Sequence, residues 1–447
     1  MGEVTTKTKR PFGFYVCAMS FTFERMAYYS AKWLIAIFII KTVAEGGLGL
    51  DDLTGAKMTA NLVAFTYLTP LFGGFIADRW VSARICVPVG MVLMGLGYLC
   101  GWQSHSIAMV WVMIALVSIG TGLFKGNLSG INGRLFNDKN ELDAAFSIQY
   151  SFVNIGAFIG TLVVGVLVSV SGYRNCFLIC GVLLFIGAAW FILGGKFLGD
   201  AGKKPFKHDN RLDEANTEVK EVAKDDHPLT KLEKSRVAAI ILVTIFSVVF
   251  WMVWYLVYMP VYYYWGPDGS NHANWMIGSF TIPSSWFDSL NSLGCIILGP
   301  VLAIVWSRLA RRPKGDMSMF RKTALGMLLL GSAFLIMALA DVLRGGSQAS
   351  ILWIIMVGIV LTLGEMVFSP LGNSFINKFA APKVLGLMLG VWPFAIFFAG
   401  KGYGYLYALL GKYSFAPAYA VVALIVIACG VVLWSLDKKL NTLVEEK

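Results

Sequence analysis

Long apolar stretches separated by short polar segments dominate this 447-residue chain. A membrane-spanning helix needs about 20 consecutive apolar residues, and the apolar runs number about twelve. They lie near residues 12–40, 55–77, 85–103, 107–131, 144–172, 175–198, 236–264, 283–306, 321–343, 350–376, 384–411 and 415–436. The pattern predicts an all-α membrane protein with twelve transmembrane helices.

A long polar stretch, Lys203 to Lys234, interrupts this pattern between the sixth and seventh spans. It is rich in Lys, Asp and Glu and has no apolar periodicity, as is typical of an exposed linker. We therefore predict two six-helix bundles, residues 1–198 and 236–447, joined by a charged cytoplasmic linker at 199–235. Two similar halves are typical of transporters that rock around a site near the bilayer midplane.

Composition and charge fix the setting. The chain is 57% hydrophobic and 14% charged, with a mean hydropathy of +0.69. Its net charge of +11 is also found in nucleic-acid-binding proteins, but the basic residues cluster in short loops between apolar runs, as the positive-inside rule expects. We therefore expect no nucleic-acid partner, both termini in the cytoplasm and, because the chain is compact and shows no targeting element, a bacterial inner membrane.

Seven charged side chains lie inside the apolar segments. A charge in hydrocarbon costs about 2.5–3.5 kcal/mol on insertion scales, so each one needs a partner or a polar cavity. The pattern predicts a charged cavity within the bundle, and these residues are the candidates for salt bridges and proton coupling: Glu24, Arg25, Lys32, Lys125, Asp288, Glu365 and Lys401.

The first span holds the most specific block, Phe21-Thr-Phe-Glu24-Arg25-Met-Ala-Tyr28-Tyr29-Ser-Ala-Lys32. At 3.6 residues per turn, Arg25, Tyr28, Tyr29 and Lys32 fall on one helix face. The block resembles the ExxERFxYY signature of the proton-dependent oligopeptide transporter family, peptide transporters of the major facilitator superfamily. Residues 73–79 with Arg84 resemble the loop between helices two and three of the major facilitator superfamily. Further segments resemble the signature blocks of the peptide transporters in the same order, namely 67–70, 120–125, 146–156, 282–291, 363–370 and 390–392.

The resemblance implies a proton-coupled symporter that imports di- and tripeptides by alternating access. It assigns the carboxyl end of a zwitterionic peptide to Arg25, Lys125 and Asn291, and the amino end to Asn154 and Glu365. The other expected substrate-binding residues are Tyr28, Tyr29, Tyr67, Tyr150, Trp286, Ser369 and Trp392. We expect a monomer in the lipid bilayer that uses protons and needs neither a cofactor nor a metal.

Alternatives remain for several of these residues. The aromatic side chains are also suited to interfacial or core packing. Lys125 and Glu365 lie in different halves, so a salt bridge between them would either close the cavity during transport or act as a static interhelical pair.

Departures from the family pattern leave the mechanism open. Phe21 stands where the signature has its first glutamate, and Phe250-Trp251 stands where many relatives have an acidic residue and glutamine. Lys32 thus lacks its expected partner, and we hypothesise that Asp288 pairs with Lys32 or Lys401 or binds the coupled proton.

The charge count admits other functions. Four intramembrane cations against three anions also suit a carrier of an acidic peptide, nitrate or another organic anion. The lost carboxylates also suit an uncoupled facilitator or a sensor. An enzyme is not expected, because the sequence has no HExxH, no metal-type His/Cys cluster and no Gly-x-Ser-x-Gly.

Overall fold

The computed structural model describes residues 10–136, 139–208, 228–313, 315–369, 375–376 and 378–444. These residues form twelve helices of membrane length. In chain order they are α1 (Phe12–Ile40), α2 (Asp52–Arg79), α3 (Ala83–Trp102), α4 (Ile107–Gly133), the continuous pair α5 and α6 (Lys139–Gly194), α7 (Lys231–Leu256), α8 (Trp286–Ala310), α9 (Met319–Leu343), α10 (Ile351–Phe368), α11 (Pro382–Leu410) and α12 (Phe415–Val444).

The pair α5 and α6 is separated by a single residue. Gly172 has φ 78° and ψ 163°, a conformation that residues with a side chain rarely adopt. The glycine therefore ends α5 (139–171), and α6 (173–194) returns across the bundle.

Short elements lie between the long helices. A helical turn (Tyr258–Pro260) and a π-helical turn (Val261–Trp265) prolong α7, and 3₁₀ turns follow α6 at Gly195–Leu198 and Phe206–His208. Strand β1 (Ala273–Asn274) pairs in parallel with β4 (Ala349–Ser350), while β2 (Met276–Ile277) and β3 (Phe280–Thr281) form an antiparallel hairpin.

The predicted twelve-helix architecture is confirmed, and each predicted span overlaps one helix. Nine continuous helical segments of the described chain are long and apolar enough to cross a membrane, and one of these is the α5–α6 pair. The two remaining helices, α1 and α11, carry the intramembrane charges Glu24, Arg25, Lys32 and Lys401.

Most helix ends lie within about five residues of the prediction, and two ends differ more clearly. Helix α10 ends at Phe368 rather than near 376. Helix α12 continues past 436 to Val444, and the buried Asp437 in this extension binds Arg321 of α9 at 2.8 Å. About half of the predicted linker, residues 209–227, lies outside the described residues, as do residues 1–9 of the predicted cytoplasmic tail. The end of the predicted linker is already helical, because α7 begins at Lys231.

The helices pack as two halves. In the first half α1 packs on α5 and α4 lies against both α2 and α3, while in the second half α9 packs on α10 and α12, and α7 packs on α11. The most extensive helix contacts between the halves are α2 with α11 and α5 with α8. Because twelve crossings alternate in direction, α1 begins at the end of the bundle where α12 finishes, called the terminus end below; the other is the opposite end.

Helices α2 and α4 approach closely at a glycine. A Cβ atom added at Gly73 would lie 2.0 Å from the carbonyl oxygen of Gly122, whereas one added at Gly74 would meet nothing within 4 Å. Adjacent positions on the same helix thus differ completely in the space available.

We expect Gly73→Ala to lower the melting temperature of the purified protein, with a cost of about 1–3 kcal/mol from forcing the two backbones apart. The matched control Gly74→Ala should leave the melting temperature unchanged or slightly raised, since alanine favours a helix over glycine. Equal melting temperatures for the two variants would contradict the close α2–α4 contact.

Candidate functional site

A cavity of about 400 Å³ lies between the two halves. Its wall is built from α1, α2, α4 and α5 of the first half and from α7, α8, α10 and α11 of the second. Eleven of the twelve predicted substrate-binding residues line it: Arg25, Tyr28, Tyr29, Tyr67, Lys125, Tyr150, Asn154, Asn291, Glu365, Ser369 and Trp392.

The structure places the twelfth, Trp286, elsewhere. It is the first residue of α8, and its indole Nε1 donates to the carbonyl of Leu162 in α5 at 2.9 Å. Its ring lies 5.7 Å from that of Phe280 in β3. Because its position at the helix start puts it beside α5, Trp286 fastens two helices rather than walling the cavity.

Arg25 is held by the residue before it. Its guanidinium donates to both carboxylate oxygens of Glu24, through Nε at 2.5 Å and through Nη2. The rings of Tyr28 and Tyr29 lie 4.5 and 5.7 Å from the guanidinium carbon. The ion pair with Glu24 and the contacts with the two rings offset the cost of burying the positive charge of Arg25.

Lys32 and Asp288 form a buried ion pair across the halves. The two atoms, Lys32 Nζ and Asp288 Oδ1, are 2.8 Å apart, and the side chains are 5% and 2% exposed. The hydroxyl of Tyr262 also donates to Asp288, and Lys32 lies 4.1 Å from the ring centre of Tyr258. Of the roles hypothesised for Asp288, the structure shows the pairing with Lys32.

Lys125 and Glu365 face the cavity without pairing. The ammonium of Lys125 lies 4.6 Å from the centre of the Tyr67 ring, while Glu365 accepts a hydrogen bond from the Asn291 amide at 2.7 Å. Within the described part of the chain, neither has an ion-pair partner within 4.0 Å. The salt bridge considered from the sequence is therefore not formed here, and two opposite charges remain available to a ligand.

Lys401 lies outside the cavity. Its ammonium donates to the side-chain oxygen of Asn61 in α2, at the α2–α11 contact. The remaining intramembrane charges balance, with cations Arg25, Lys32 and Lys125 against anions Glu24, Asp288 and Glu365. The excess of one positive charge in the sequence comes from Lys401, so the region around the cavity carries no net positive charge from these residues.

Aromatic packing replaces the two missing carboxylates. The ring of Phe21 lies edge-on to that of Phe124 in α4 at 5.4 Å. Phe250 stacks on Phe368 of α10 with ring centres 3.8 Å apart. Both positions contribute apolar helix contacts and no titratable group.

The opposite end of the bundle is closed by further polar contacts between the halves. They join Lys41 to Asp268 (3.4 Å), Trp33 Nε1 to Ser284 Oγ (2.9 Å), Tyr263 Oη to the Ala36 carbonyl (3.1 Å), Thr161 Oγ1 to Ser289 Oγ (2.7 Å) and Tyr407 Oη to Asp52 (2.8 Å). Toward the terminus end, the hydroxyl of Tyr150 contacts the sulfur of Met366 at 3.9 Å.

A crevice of about 660 Å³ runs between α5 and α8. It shares Tyr150, Asn154 and Ser369 with the cavity and extends to Phe146 and Ala303, nearer the terminus end. The cavity and the crevice thus share part of one wall, and the crevice extends toward the terminus end. The Lys32–Asp288 pair and its neighbours lie toward the opposite end.

Some lining residues were not among the sequence candidates. Trp251, Trp254 and Tyr255 of α7 contribute one cavity face. Their i, i+3, i+4 spacing places them on one helix face. From the sequence, we considered this segment only because it lacks the acidic residue of the family pattern. Asp268 lies in the connection between α7 and β1, where no periodicity indicates what a side chain contacts.

We expect Asp288→Asn to lower the melting temperature strongly, because removing one partner leaves the Lys32 ammonium buried without an anion, at a cost of about 3–5 kcal/mol. The double variant Lys32→Gln with Asp288→Asn should lose less than the two single variants added together. Thermal unfolding of all four proteins gives the coupling free energy.

The matched control is Asp200→Asn, which removes the acid from an exposed ion pair of similar length, 2.7 Å to Lys203. An exposed pair contributes about 0–1 kcal/mol, so this variant should unfold nearly as the wild type does. Strictly additive losses at Lys32 and Asp288 would show that the two residues do not act as a pair.

The sequence is similar to those of known membrane transporters. The Major Facilitator Superfamily profile matches residues 16–400. The uncharacterized transporter YclF of Bacillus subtilis is 25% identical over 425 residues, covering 86% of this chain and 84% of that protein. Peptide transporter YePEPT of Yersinia enterocolitica is 26% identical over 424 residues, covering 84% and 83%.

Solved structures agree on the fold. A peptide transporter POT in complex with sulfate superposes with a TM-score of 0.86 at 24% identity, covering 98% of this chain and 96% of that one. A POT family transporter in complex with a thioalcohol-conjugated peptide gives a TM-score of 0.85 at 23% identity, covering 96% and 97%. The predicted resemblance to peptide transporters is confirmed, and the chain belongs to the Major Facilitator Superfamily.

Proposed function

We propose that this protein imports di- and tripeptides across the cell membrane by alternating access, coupled to protons. The observation that carries the proposal is the unpaired juxtaposition of Lys125 and Glu365 on one cavity between the halves. Relatives named as peptide transporters, including a di-/tripeptide transporter of Lactococcus lactis at 25% identity, support the same substrate class.

A zwitterionic peptide matches these charges. Its carboxylate would meet Lys125, with Arg25 beside it, and its ammonium would meet Glu365. Charge-assisted hydrogen bonds are strong when water is excluded, and a ligand with both charges satisfies both side chains at once. The volume of about 400 Å³ lies near the lower end of the range of about 300–1,000 Å³ for small-molecule sites, which suits short peptides.

The positions of the basic residues orient the protein in the membrane. Arg79, Arg134, Arg308 and Lys322 lie at helix ends on the terminus end, which we therefore assign to the cytoplasm. The Lys32–Asp288 pair then closes the extracellular side, and the conformation is inward-facing. Opening outward requires that pair to break and a new closure to form at the terminus end.

We place the coupled proton at Glu365. Phe21 and Phe250 cannot titrate, while Glu365 lines the cavity and is bound by an amide rather than by a cation. Protonation would remove the negative charge that holds the substrate ammonium, so proton uptake and peptide release would be linked. Asp288, already bound by Lys32 and Tyr262, serves as a latch in this scheme.

One observation favours a second candidate, an uncoupled peptide carrier. Both lost acids are replaced by buried aromatic contacts, Phe21 with Phe124 and Phe250 with Phe368. The anion-carrier alternative loses its charge argument, because Lys401 does not face the cavity. A pure sensor would exchange no peptide at all.

Uptake of a labelled dipeptide into proteoliposomes tests the proposal. An inward proton gradient should drive accumulation that collapses with the gradient. Glu365→Gln should abolish accumulation but retain counterflow exchange, because the glutamine oxygen still accepts from the ammonium. The exposed Lys412→Gln is the control and should behave as wild type. Exchange without accumulation in the wild type would establish the uncoupled carrier. The absence of both exchange and accumulation would overturn peptide transport.

Modified dipeptides test which charge each side chain meets. Wild type should take up a dipeptide amide, which lacks the carboxylate, with a KM raised about tenfold or more, as expected for losing a hydrogen bond to a charged group. In Lys125→Gln the free acid and the amide should be taken up alike. The same variant should still discriminate against the N-acetylated dipeptide, and loss of both preferences would contradict the assignment.

A further inference from the structure

A second pocket, of about 180 Å³, lies at the α2–α11 contact. The first half contributes residues of α2 and Trp111 of α4, and the second half contributes residues of α11. Its wall comprises Lys57, Met58, Ala60, Asn61, Trp111, Lys401, Gly404 and Tyr405. None of these lines the central cavity, so this is a separate site whose role does not depend on what the cavity carries.

The pocket holds two cations and no carboxylate. Lys401 donates to the buried Asn61 oxygen, and Lys57 lies 6.0 Å from the centre of the Tyr405 ring. Within the described residues, neither lysine has an ion-pair partner within 4.0 Å. The Asn61 amide does not neutralise the Lys401 ammonium in a medium of low dielectric. The positive charge of the pocket is therefore not balanced by an anion in its wall.

The acidic residues near the pocket lie outside its wall. Asp51 accepts from the backbone N–H of Thr54 at 2.6 Å and caps α2, and it is also attracted by Lys57 without forming an ion pair within 4.0 Å in the described residues. Asp52 accepts from the hydroxyl of Tyr407 at 2.8 Å. A bound anion would therefore supply a negative charge that the pocket wall lacks.

The location selects a lipid. At about 1.5 Å per residue, Lys57 lies about 8 Å from the start of α2, and Lys401 lies about 14 Å from the end of α11. The pocket thus runs from the headgroup layer, about 5–8 Å deep, into the upper acyl region of the leaflet at the opposite end. Trp111 and Tyr405 are 40% and 59% exposed beside it, as is typical of aromatic residues at the membrane interface.

Size supports a small headgroup. About 180 Å³ is below the range of about 300–1,000 Å³ for drug-sized ligands, but it accommodates one phosphate group whose acyl chains stay outside in the bilayer. Two lysine ammoniums bind phosphate as point charges, and Asn61, whose oxygen is used by Lys401, keeps its N–H donors. Because Trp111 and Tyr405 of the wall are exposed at the surface of the bundle, we infer that the lipid enters beside them.

We propose that the Lys57–Asn61–Lys401 pocket binds the phosphate of an anionic phospholipid from the surrounding leaflet. The ligand contacts both halves at a helix pair that joins them. Helices α2 and α11 touch there through small residues, since a Cβ at Gly404 would lie 3.0 Å from Ala60. A bound phosphate therefore fastens this contact in the conformation described here.

The test uses delipidated full-length protein in neutral detergent, titrated with phosphatidylglycerol, diacylglycerol or sodium phosphate. Thermal unfolding and native mass spectrometry report binding. Phosphatidylglycerol should raise the melting temperature and remain bound, while diacylglycerol and sodium phosphate should do neither. Lys401→Gln and Lys57→Gln should each raise the apparent Kd about tenfold or more, and Lys401→Arg should retain binding.

The matched control is Lys412→Gln, which removes an exposed lysine at the same end of the bundle and should bind as the wild type does. Unchanged binding in both glutamine variants, an equal loss in Lys412→Gln, or equal stabilisation by sodium phosphate would overturn the proposal, the last outcome in favour of a soluble anion. If Lys401→Gln does not fold, Lys57→Gln at the rim decides alone.

Discussion

The cost of placing a charge in a membrane organises this protein. An unpaired ion in hydrocarbon is so unfavourable that each intramembrane charge must find a counter-charge, an aromatic face, an amide or a polar cavity. Arg25 and Lys32 find carboxylates, Lys125 finds a tyrosine ring, and Lys401 finds an amide. Because Lys32 and Asp288 belong to different halves, satisfying this requirement also sets how the halves close.

The charged residues inside the membrane belong to two separate sites, although a count from the sequence treats them as one group. In the sequence, four cations and three anions form one population, which leaves the cavity short of an anion. In the structure, three cations and three anions belong to the central region, and Lys401 belongs to a lateral pocket between α2 and α11. Only the charges of the central region therefore act on a substrate in the cavity. Lys401 acts on whatever occupies the lateral pocket.

Hydropathy predicted the twelve helices well because a membrane forces backbone hydrogen bonds to close within each helix. The helix-face argument likewise placed Arg25, Tyr28, Tyr29 and Lys32 together, since 3.6-residue periodicity is local. What a side chain meets on another helix is not local. Thus Lys125 and Glu365 both line the cavity without pairing, and Trp286 binds α5 instead. The spacing of Trp254 and Tyr255 marks one face of α7, but only the three-dimensional packing shows that this face lines the cavity.

The position of the acidic partner of Lys32 on α8 has a mechanical consequence. Asp288, Asn291 and Cys295 follow i, i+3, i+7 spacing on one face of that helix. The first binds the latch lysine, and the second binds Glu365. Both contacts are therefore made from one face of a single helix. A movement of α8 as a rigid body along its axis would shift Asp288 and Asn291 together, which couples the ion pair between the halves to the hydrogen bond on Glu365.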